Sequence, residues 1–137
     1  RFLGKCDQNK HELIVDKLAQ LQIRNFIVES HSVGFFQPNT LWVGIKRTEG
    51  IMHCRDMITN CLEGIGFSDD NREYSPHISI ARLGKKYDPK QLDNFLDKYT
   101  NIEFPAFKAT QFHLYESSVE ESGLQYKILN SFSLIAE

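Results

Sequence analysis

The chain has 137 residues, of which 41% are hydrophobic and 25% charged, and its net charge at pH 7 is −2. This length fits one domain, or two small lobes sharing an interface, and a chain of this size can bury a core without disulfides or a metal. The mildly acidic balance argues against a non-specific duplex-binding protein, which would carry a broad basic surface.

Cysteine use and apolar patterning narrow the class of protein further. Cys6, Cys54 and Cys61 are odd in number and scattered, which is typical of reduced, mostly buried thiols in a cytoplasmic protein. No second ligand pair stands at zinc spacing from His53-Cys54, so we expect no metal site. No apolar run is long enough to span a membrane, so we expect no membrane partner.

The N-terminal half predicts a helix, two strands and a second helix. Apolar side chains repeat at helical spacing over residues 10–21. The apolar side of this helix comprises Leu13, Ile14, Leu18 and Leu21. Residues 23–32 and 40–45 are rich in β-branched and aromatic side chains and flank a turn at Pro38, so they predict a hairpin. Helical periodicity returns over residues 50–62.

The C-terminal half predicts a polar loop at 68–73, one strand, a third helix and a closing pair of strands. Asp88 suits the N-cap of the helix, with Pro89 at its first position. The buried stripe of this helix comprises Leu92, Phe95, Leu96 and Tyr99. Residues 109–115 and 124–134 then predict paired strands. This order of elements predicts an α+β fold with largely antiparallel sheets.

The residues most suited to a chemical function lie in the stretch at 75–82, Ser-Pro-His-Ile-Ser-Ile-Ala-Arg. In a strand, His77 and Ser79 project from one face, and the isoleucines that follow them project from the other and would pack into a core. Arg82 stands at the end of the strand, where its guanidinium could reach a bound anion. An acid/base group, a hydroxyl and a fixed positive charge suit a phosphate ester. In a chain with five histidines, however, a His-x-Ser also arises by chance, and a single strand histidine is more often structural.

Several segments match one family in the same order. Residues 76–82 resemble the second of two His-x-Thr/Ser motifs, including an arginine five residues past the histidine. Residues 41–44, Leu-Trp-Val-Gly, resemble the strand before it, and residues 114–117 with Gly123 and Tyr126 resemble a closing hairpin. The chain thereby resembles the 2H phosphoesterase superfamily, in its RNA 2',3'-cyclic phosphodiesterase (2'-5' RNA ligase) branch. The resemblance implies two pseudo-symmetric lobes of mostly antiparallel sheet, helices on the outer faces and an active-site cleft between the lobes.

The first motif of that family is missing from the sequence. In the family it is typically followed by a basic residue and Phe-Leu-Gly, and this chain begins with Arg1-Phe2-Leu3-Gly4. The histidines that lack a serine or threonine two positions on are His11, His31, His53 and His113. We therefore expect the partner His-x-Thr immediately upstream of Arg1. Residues 1–137 would then be a single domain of this family lacking its N-terminal strand-helix-strand, in an N-terminally incomplete copy of a longer protein.

The resemblance implies hydrolysis of a 2',3'-cyclic phosphate to a 2'-phosphomonoester by two-histidine acid/base catalysis, and it allows a reversible 2'-5' RNA ligase activity at the same site. His77 would be the general base, Ser79 would bind a phosphate oxygen, and Arg82 would bind the phosphate and offset its growing charge. No metal or nucleotide cofactor is implied, and the partners would be RNA ends or small nucleotides bound by a monomer. Tyr74 and Phe2 would either stack on a base near the cleft or simply pack.

Two alternatives stay open at this point. The first keeps the chemistry but acts on another cyclic phosphate, of a nucleotide or of ADP-ribose. The second is a non-catalytic module that binds nucleotides or RNA ends without turnover.

Overall fold

The computed structural model describes residues 1–68, 73–121 and 123–136. In these residues the chain forms three helices and seven strands, mostly paired antiparallel, which confirms the expected α+β class. The elements are α1 (Gln8–Ala19), β1 (Phe26–Val28), β2 (Ser30–Phe36), β3 (Thr40–Ile45), α2 (Glu49–Glu63), β4 (His77–Arg82), α3 (Pro89–Tyr99), β5 (Phe107–Ala109), β6 (Gln111–Glu120) and β7 (Gly123–Ser133).

The chain divides into two compact units. The first unit comprises Arg1–Phe26, Gly50–Arg72 and Ala109–Glu137, and the second comprises Ile27–Glu49 and Glu73–Lys108. The first unit holds α1, β6, β7 and nearly all of α2, and the second holds the sheet β2-β3-β4 together with α3.

The core of the first unit forms where α1 and α2 pack against the C-terminal hairpin. Ile14, Leu18, Leu62 and Phe132 form its main buried cluster. Leu13, expected on the same apolar side, is 41% exposed, so that part of the helix prediction is wrong. The reason is geometric, because Leu13 stands about 100° around the helix from Ile14, which occupies the centre of the buried side.

The C-terminal hairpin extends further than its sequence indicates. β6 pairs antiparallel with β7 from Gln111–Ser133 to Glu120–Gly123, which confirms the pairing but shows that the predicted strand over 109–115 was too short. The tract after Tyr115, Glu-Ser-Ser, has weak strand propensity. Backbone hydrogen bonding to β7 overrides that preference.

The sheet of the second unit has the order β2-β3-β4, and the predicted hairpin is its β2-β3 pair. The strand predicted over 23–32 is wrong in its bounds, because the chain leaves the strand at Glu29 and β2 begins at Ser30. Glu29 connects instead to the end of β3, since its carbonyl accepts from the Lys46 N–H at 2.8 Å and its carboxylate pairs with the Lys46 ammonium at 3.0 Å. The break therefore follows from a tertiary contact.

Helix α3 begins as predicted. The Asp88 carboxylate accepts from the Lys90 N–H at 2.9 Å, and Pro89 stands in the first turn. The predicted stripe is the less exposed side of the helix, but each of its four residues is only half-buried, and none of α3 is fully buried.

The three cysteines differ in their surroundings. Cys54 is buried and Cys61 half-buried, as expected, whereas Cys6 is exposed, so the expectation of mostly buried thiols fails there. Burial raises the pKa of the Cys54 thiol and also that of Cys61, where nearby Lys17 opposes the shift. Most of the predicted polar loop at 68–73 lies outside the described residues, and among those described no helix is long and apolar enough to cross a membrane.

Candidate functional site

The side chains singled out in the sequence lie on β4, and the central strand β3 determines which way they face. The antiparallel register pairs His77 with Gly44, Ser79 with Trp42 and Arg82 with Thr40. The three β3 positions are two residues apart and so share one face, and cross-strand partners project from the same face. The structure therefore brings His77, Ser79 and Arg82 together on one surface, which we call the His77 face.

A β-bulge is what brings Arg82 to that surface. In unbroken alternation a residue three positions after Ser79 would project from the opposite face. The register shifts between Leu41, which pairs with Ala81, and Trp42, which pairs with Ser79, so Ile80 is an extra residue on β4. Bulges re-aim the side chains that follow them. The sequence indicated that Arg82 ends the strand, but it contained no signal for this bulge.

The prediction that Ile78 and Ile80 pack into a core is wrong. Each is 49% exposed. β4 is the edge strand of its three-stranded sheet, and burial on the face opposite His77 concentrates on the central strand, where Leu41 and Val43 are 8% and 5% exposed.

The hydrogen bonding of His77 fixes which nitrogen carries its proton. Its Nδ1 lies 2.7 Å from the carbonyl oxygen of Ser75. A carbonyl can only accept, so Nδ1 carries the hydrogen and donates it. In the neutral ring Nε2 is then the basic nitrogen, and among the described residues it has no hydrogen-bond partner. The imidazole is exposed, so a proton can be taken up at Nε2 from a bound molecule.

Two aromatic rings support the imidazole of His77. The Phe36 ring meets it edge to face, with ring centroids 4.9 Å apart, and the Trp42 ring lies 6.4 Å away. Phe36 and Trp42 also contact each other at 5.1 Å. Sequence reasoning missed Phe36, although its signal was available: a hairpin that joins 40–45 to the preceding strand places Phe36 opposite Thr40, on the His77 face.

The positively charged residue of the His77 face, Arg82, is exposed to solvent. Arg82 and Ser79 are both exposed, and among the described residues no carboxylate forms an ion pair with the Arg82 guanidinium. Tyr74, three residues before His77, is half-buried, whereas Phe2 is 87% exposed, so its interpretation as a packing residue is wrong.

Comparison with known proteins identifies the family of the chain. A sequence profile described as the 2'-5' RNA ligase superfamily matches residues 6–121. The chain belongs to the 2'-5' RNA ligase superfamily. The resemblance to 2H phosphoesterases inferred from the motifs is thereby confirmed.

Relatives of this superfamily member span most of its length. The chain is 30% identical over 137 residues to the RNA 2',3'-cyclic phosphodiesterase of Thermotoga maritima, and the alignment covers 93% of this chain and 70% of that protein. It is 26% identical over 134 residues to the enzyme of the same name from Aeropyrum pernix, covering 94% of this chain and 76% of that protein.

Solved structures agree on the fold. TT0787 of Thermus thermophilus superposes with a TM-score of 0.81 at 18% identity, covering 99% of this chain and 76% of that one. E. coli LigT complexed with 3'-AMP superposes with a TM-score of 0.76 at 19% identity, covering 98% of this chain and 74% of that one.

The first unit also contains a cavity of about 1010 Å³. It is lined by the N-terminal segment from Arg1 to Gln8, by α1 and by the hairpin β6-β7, and its side chains include His11 and His113. Neither histidine is followed two positions later by a serine or threonine. The cavity therefore lacks the His-x-Ser arrangement that β4 presents.

Gly34 provides a test of how the His77 face is packed. A Cβ at Gly34 would lie 2.1 Å from the Trp42 ring, so Gly34→Ala must displace the indole and with it a neighbour of His77. We expect a loss of about 1–3 kcal/mol in unfolding free energy. Trp42 is the only tryptophan, so its fluorescence maximum should shift in the folded variant.

Gly84→Ala is the matched control, because a Cβ there meets nothing within 4 Å. It should leave both the unfolding free energy and the fluorescence unchanged. Equal behaviour of the two variants would contradict the packing of Trp42 on Gly34.

Proposed function

We propose that this protein is an RNA 2',3'-cyclic phosphodiesterase that opens a terminal 2',3'-cyclic phosphate to a 2'-phosphomonoester. The observation that carries the proposal is the grouping of His77, Ser79 and Arg82 on one sheet face, where Nε2 of His77 has no hydrogen-bond partner among the described residues. The names of the relatives from Thermotoga maritima and Aeropyrum pernix support the same reaction class.

In this proposal His77 activates water. Its Nε2 takes a proton as the water oxygen attacks phosphorus, and the bond from phosphorus to the 3'-oxygen breaks. The hydrogen bond from Nδ1 to the Ser75 carbonyl, 2.7 Å long, orients the ring and stabilises the imidazolium that forms. The edge-to-face contact with Phe36 limits rotation of the same ring.

Ser79 and Arg82 act on the phosphate itself. The Ser79 hydroxyl donates to a non-bridging oxygen, and the Arg82 guanidinium offsets the charge that accumulates at phosphorus in the transition state. Since side chains supply the proton transfers and the positive charge, the proposed reaction needs no metal ion. The same groups would catalyse 2'-5' ligation when a 5'-hydroxyl replaces water as the nucleophile: His77 takes the proton of that hydroxyl, its oxygen bonds to phosphorus, and the bond from phosphorus to the 3'-oxygen breaks as before.

A second histidine must protonate the departing 3'-oxygen. We propose that the first His-x-Thr motif of the family supplies it, since in the family that motif is typically followed by a basic residue and Phe-Leu-Gly, as at residues 1–4. The complete enzyme is proposed to act as a cytoplasmic monomer on RNA ends or on small nucleotides. The structure of E. coli LigT with 3'-AMP supports a nucleotide ligand for this fold.

Replacing His77 tests the chemistry. We expect His77→Ala to lower kcat for hydrolysis of 2',3'-cyclic AMP by about 10²–10⁴, because the general base is lost. The measurement is product formation followed by chromatography, which also identifies a 2'- rather than a 3'-phosphate. His53→Ala, which removes an exposed imidazole from α2, is the control and should keep full activity.

Other outcomes of that experiment separate the alternatives. Binding of 2'-AMP without any turnover, and unaffected by His77→Ala, would indicate a non-catalytic module. Turnover restricted to a cyclic phosphate of ADP-ribose would keep the mechanism and change the substrate.

Replacing Arg82 tests the role of the bulge in β4. We expect Arg82→Ala to lower kcat/KM for the same substrate by about 10²-fold, as loss of a charge-assisted contact in the transition state does. Arg82→Lys should restore part of it, because charge returns without the planar guanidinium. An Arg82→Ala variant with unchanged kcat/KM would place the guanidinium away from the phosphate.

The proposed second motif is tested by the intact mass of the protein purified from its own source. The 137 residues account for 15.9 kDa. A strand-helix-strand segment carrying His-x-Thr should add roughly 4 kDa. Tandem mass spectrometry of the N-terminal peptides then shows whether His-x-Thr precedes Arg1, and a different sequence there would contradict the proposal.

A further inference from the structure

The three-stranded sheet carries another histidine, His31, in the same cross-strand row as His77. It is distinct from the upstream histidine proposed above. Gly44 on the central strand pairs with His31 of β2 on one side and with His77 of β4 on the other. Cross-strand partners project from one face, so His31 belongs to the His77 face. No sequence pattern predicted this juxtaposition, because the two histidines are far apart along the chain.

A bulge in β2 is what turns His31 to that face. His31 pairs with Gly44 and Val33 pairs with Val43, so Ser32 is an extra residue on β2. Ser32 has a φ of 54°, in the left-handed region that is strained for a non-glycine residue. Without the extra residue His31 would share the face of Val33, opposite to His77. Backbone strain at Ser32 therefore accompanies the placement of the His31 imidazole on the His77 face.

Gly44 makes room for the imidazole between the two strands. A Cβ at Gly44 would lie 2.7 Å from the carbonyl oxygen of His31, 3.1 Å from its Nε2 and 3.2 Å from its Cε1. The ring thus lies over the backbone of Gly44 and extends along the row toward His77. Neighbouring strands are about 4.8 Å apart, so the backbones of the two histidines are separated by about 10 Å, and the extended ring of His31 shortens that gap.

The hydrogen bonding of His31 differs from that of His77 and allows the opposite tautomer. Nδ1 of His31 lies 3.1 Å from the hydroxyl oxygen of Ser32, and a hydroxyl, unlike a carbonyl, can donate. With Ser32 donating to Nδ1, the hydrogen of the neutral ring sits on Nε2. His31 then presents a donor to the His77 face, whereas His77 presents a base.

We propose that His31 is a specificity residue that binds the phosphodiester joining the terminal nucleotide to the nucleotide before it. The inference rests on the proposed function, since it takes the cyclic phosphate to lie at His77. One nucleotide can bridge the separation between the two imidazoles. A donor at that position favours an RNA end over a free cyclic mononucleotide, which has no such phosphodiester.

The wall beside His31 is polar. A cavity of about 180 Å³ is lined by His31, Ser32, Thr100, Asn101 and Glu103. The Glu103 carboxylate lies 3.6 Å from the ammonium of Lys46, which also pairs with Glu29 at 3.0 Å, so the ammonium offsets only part of the repulsion between Glu103 and a phosphate. Thr100 and Asn101 add further polar groups to the wall.

The test compares three substrates in the protein purified from its source: 2',3'-cyclic AMP, a dinucleotide ending in a 2',3'-cyclic phosphate, and the same dinucleotide with a neutral methylphosphonate linkage. The wild-type protein should have a KM about tenfold lower for the phosphodiester dinucleotide than for the methylphosphonate one, as expected for a charge-assisted hydrogen bond. His31→Ala should abolish that difference and leave KM for 2',3'-cyclic AMP unchanged. His31→Lys should restore the difference, since it returns a donor.

Two results would overturn the inference. One is a His31→Ala variant that still distinguishes the two linkages as the wild type does. The other is an equal loss on all three substrates, which would mean that His31 only supports the structure of the site.

Failure of the proposed function is recognised separately. If the wild-type protein hydrolyses none of the three substrates, the cyclic phosphodiesterase assignment fails. The inference about His31 then fails with it unless a dinucleotide 2'-phosphate binds, by calorimetry, with the same linkage preference and the same loss in His31→Ala. His53→Ala is again the matched control, because it removes an exposed imidazole that lies outside the sheet.

Discussion

The antiparallel register along the central strand β3 is the constraint on which the rest of the site depends. Backbone hydrogen bonds hold β2 and β4 to either side of it, so each side chain on those strands faces the way its β3 partner faces. Thr40, Trp42 and Gly44 alternate along β3 and mark one face. The described residues to which we assign a chemical role lie on that face.

Each flanking strand has one extra residue, and each of the two bulges turns a polar side chain onto the His77 face. The bulge at Ile80 brings Arg82 beside His77 and Ser79, and the bulge at Ser32 turns His31 toward them. A strand with unbroken alternation would have divided these side chains between two faces. The local loss of regular pairing is therefore offset by the assembly of four polar groups on one surface.

Glycines on the same sheet allow the rings of the site to pack closely against the backbone. Gly34 lies beneath the Trp42 indole, and the imidazole of His31 lies over Gly44. A Cβ at Gly34 would overlap the indole, and a Cβ at Gly44 would crowd both the carbonyl oxygen and the imidazole of His31. The rings around His77 are thus held by packing, while its Nδ1 is held by the carbonyl of Ser75. Such support keeps the orientation of a proton-transferring group fixed.

The sequence alone determined the class of fold, most of the elements and the family. Period-3.6 and period-2 patterns are local properties, and an Asp-Pro helix start such as Asp88-Pro89 is recognised within a few residues. Motif order likewise identified the superfamily, and the pair His77 and Ser79 follows from strand alternation. Predictions failed where burial depends on neighbours, as at Leu13 and Ile78.

Only the tertiary structure decided which polar groups meet. Register and bulges arise from hydrogen bonds between strands that are distant in the sequence, so no local pattern revealed that Arg82 shares the face of His77. The same holds for His31, which reaches the His77 face only through the pairing of β2 with β3. The sequence by itself named the residue types that suit a phosphate ester, and the pairing of three strands decided their arrangement, because a side chain's direction in a sheet depends on its partner strand.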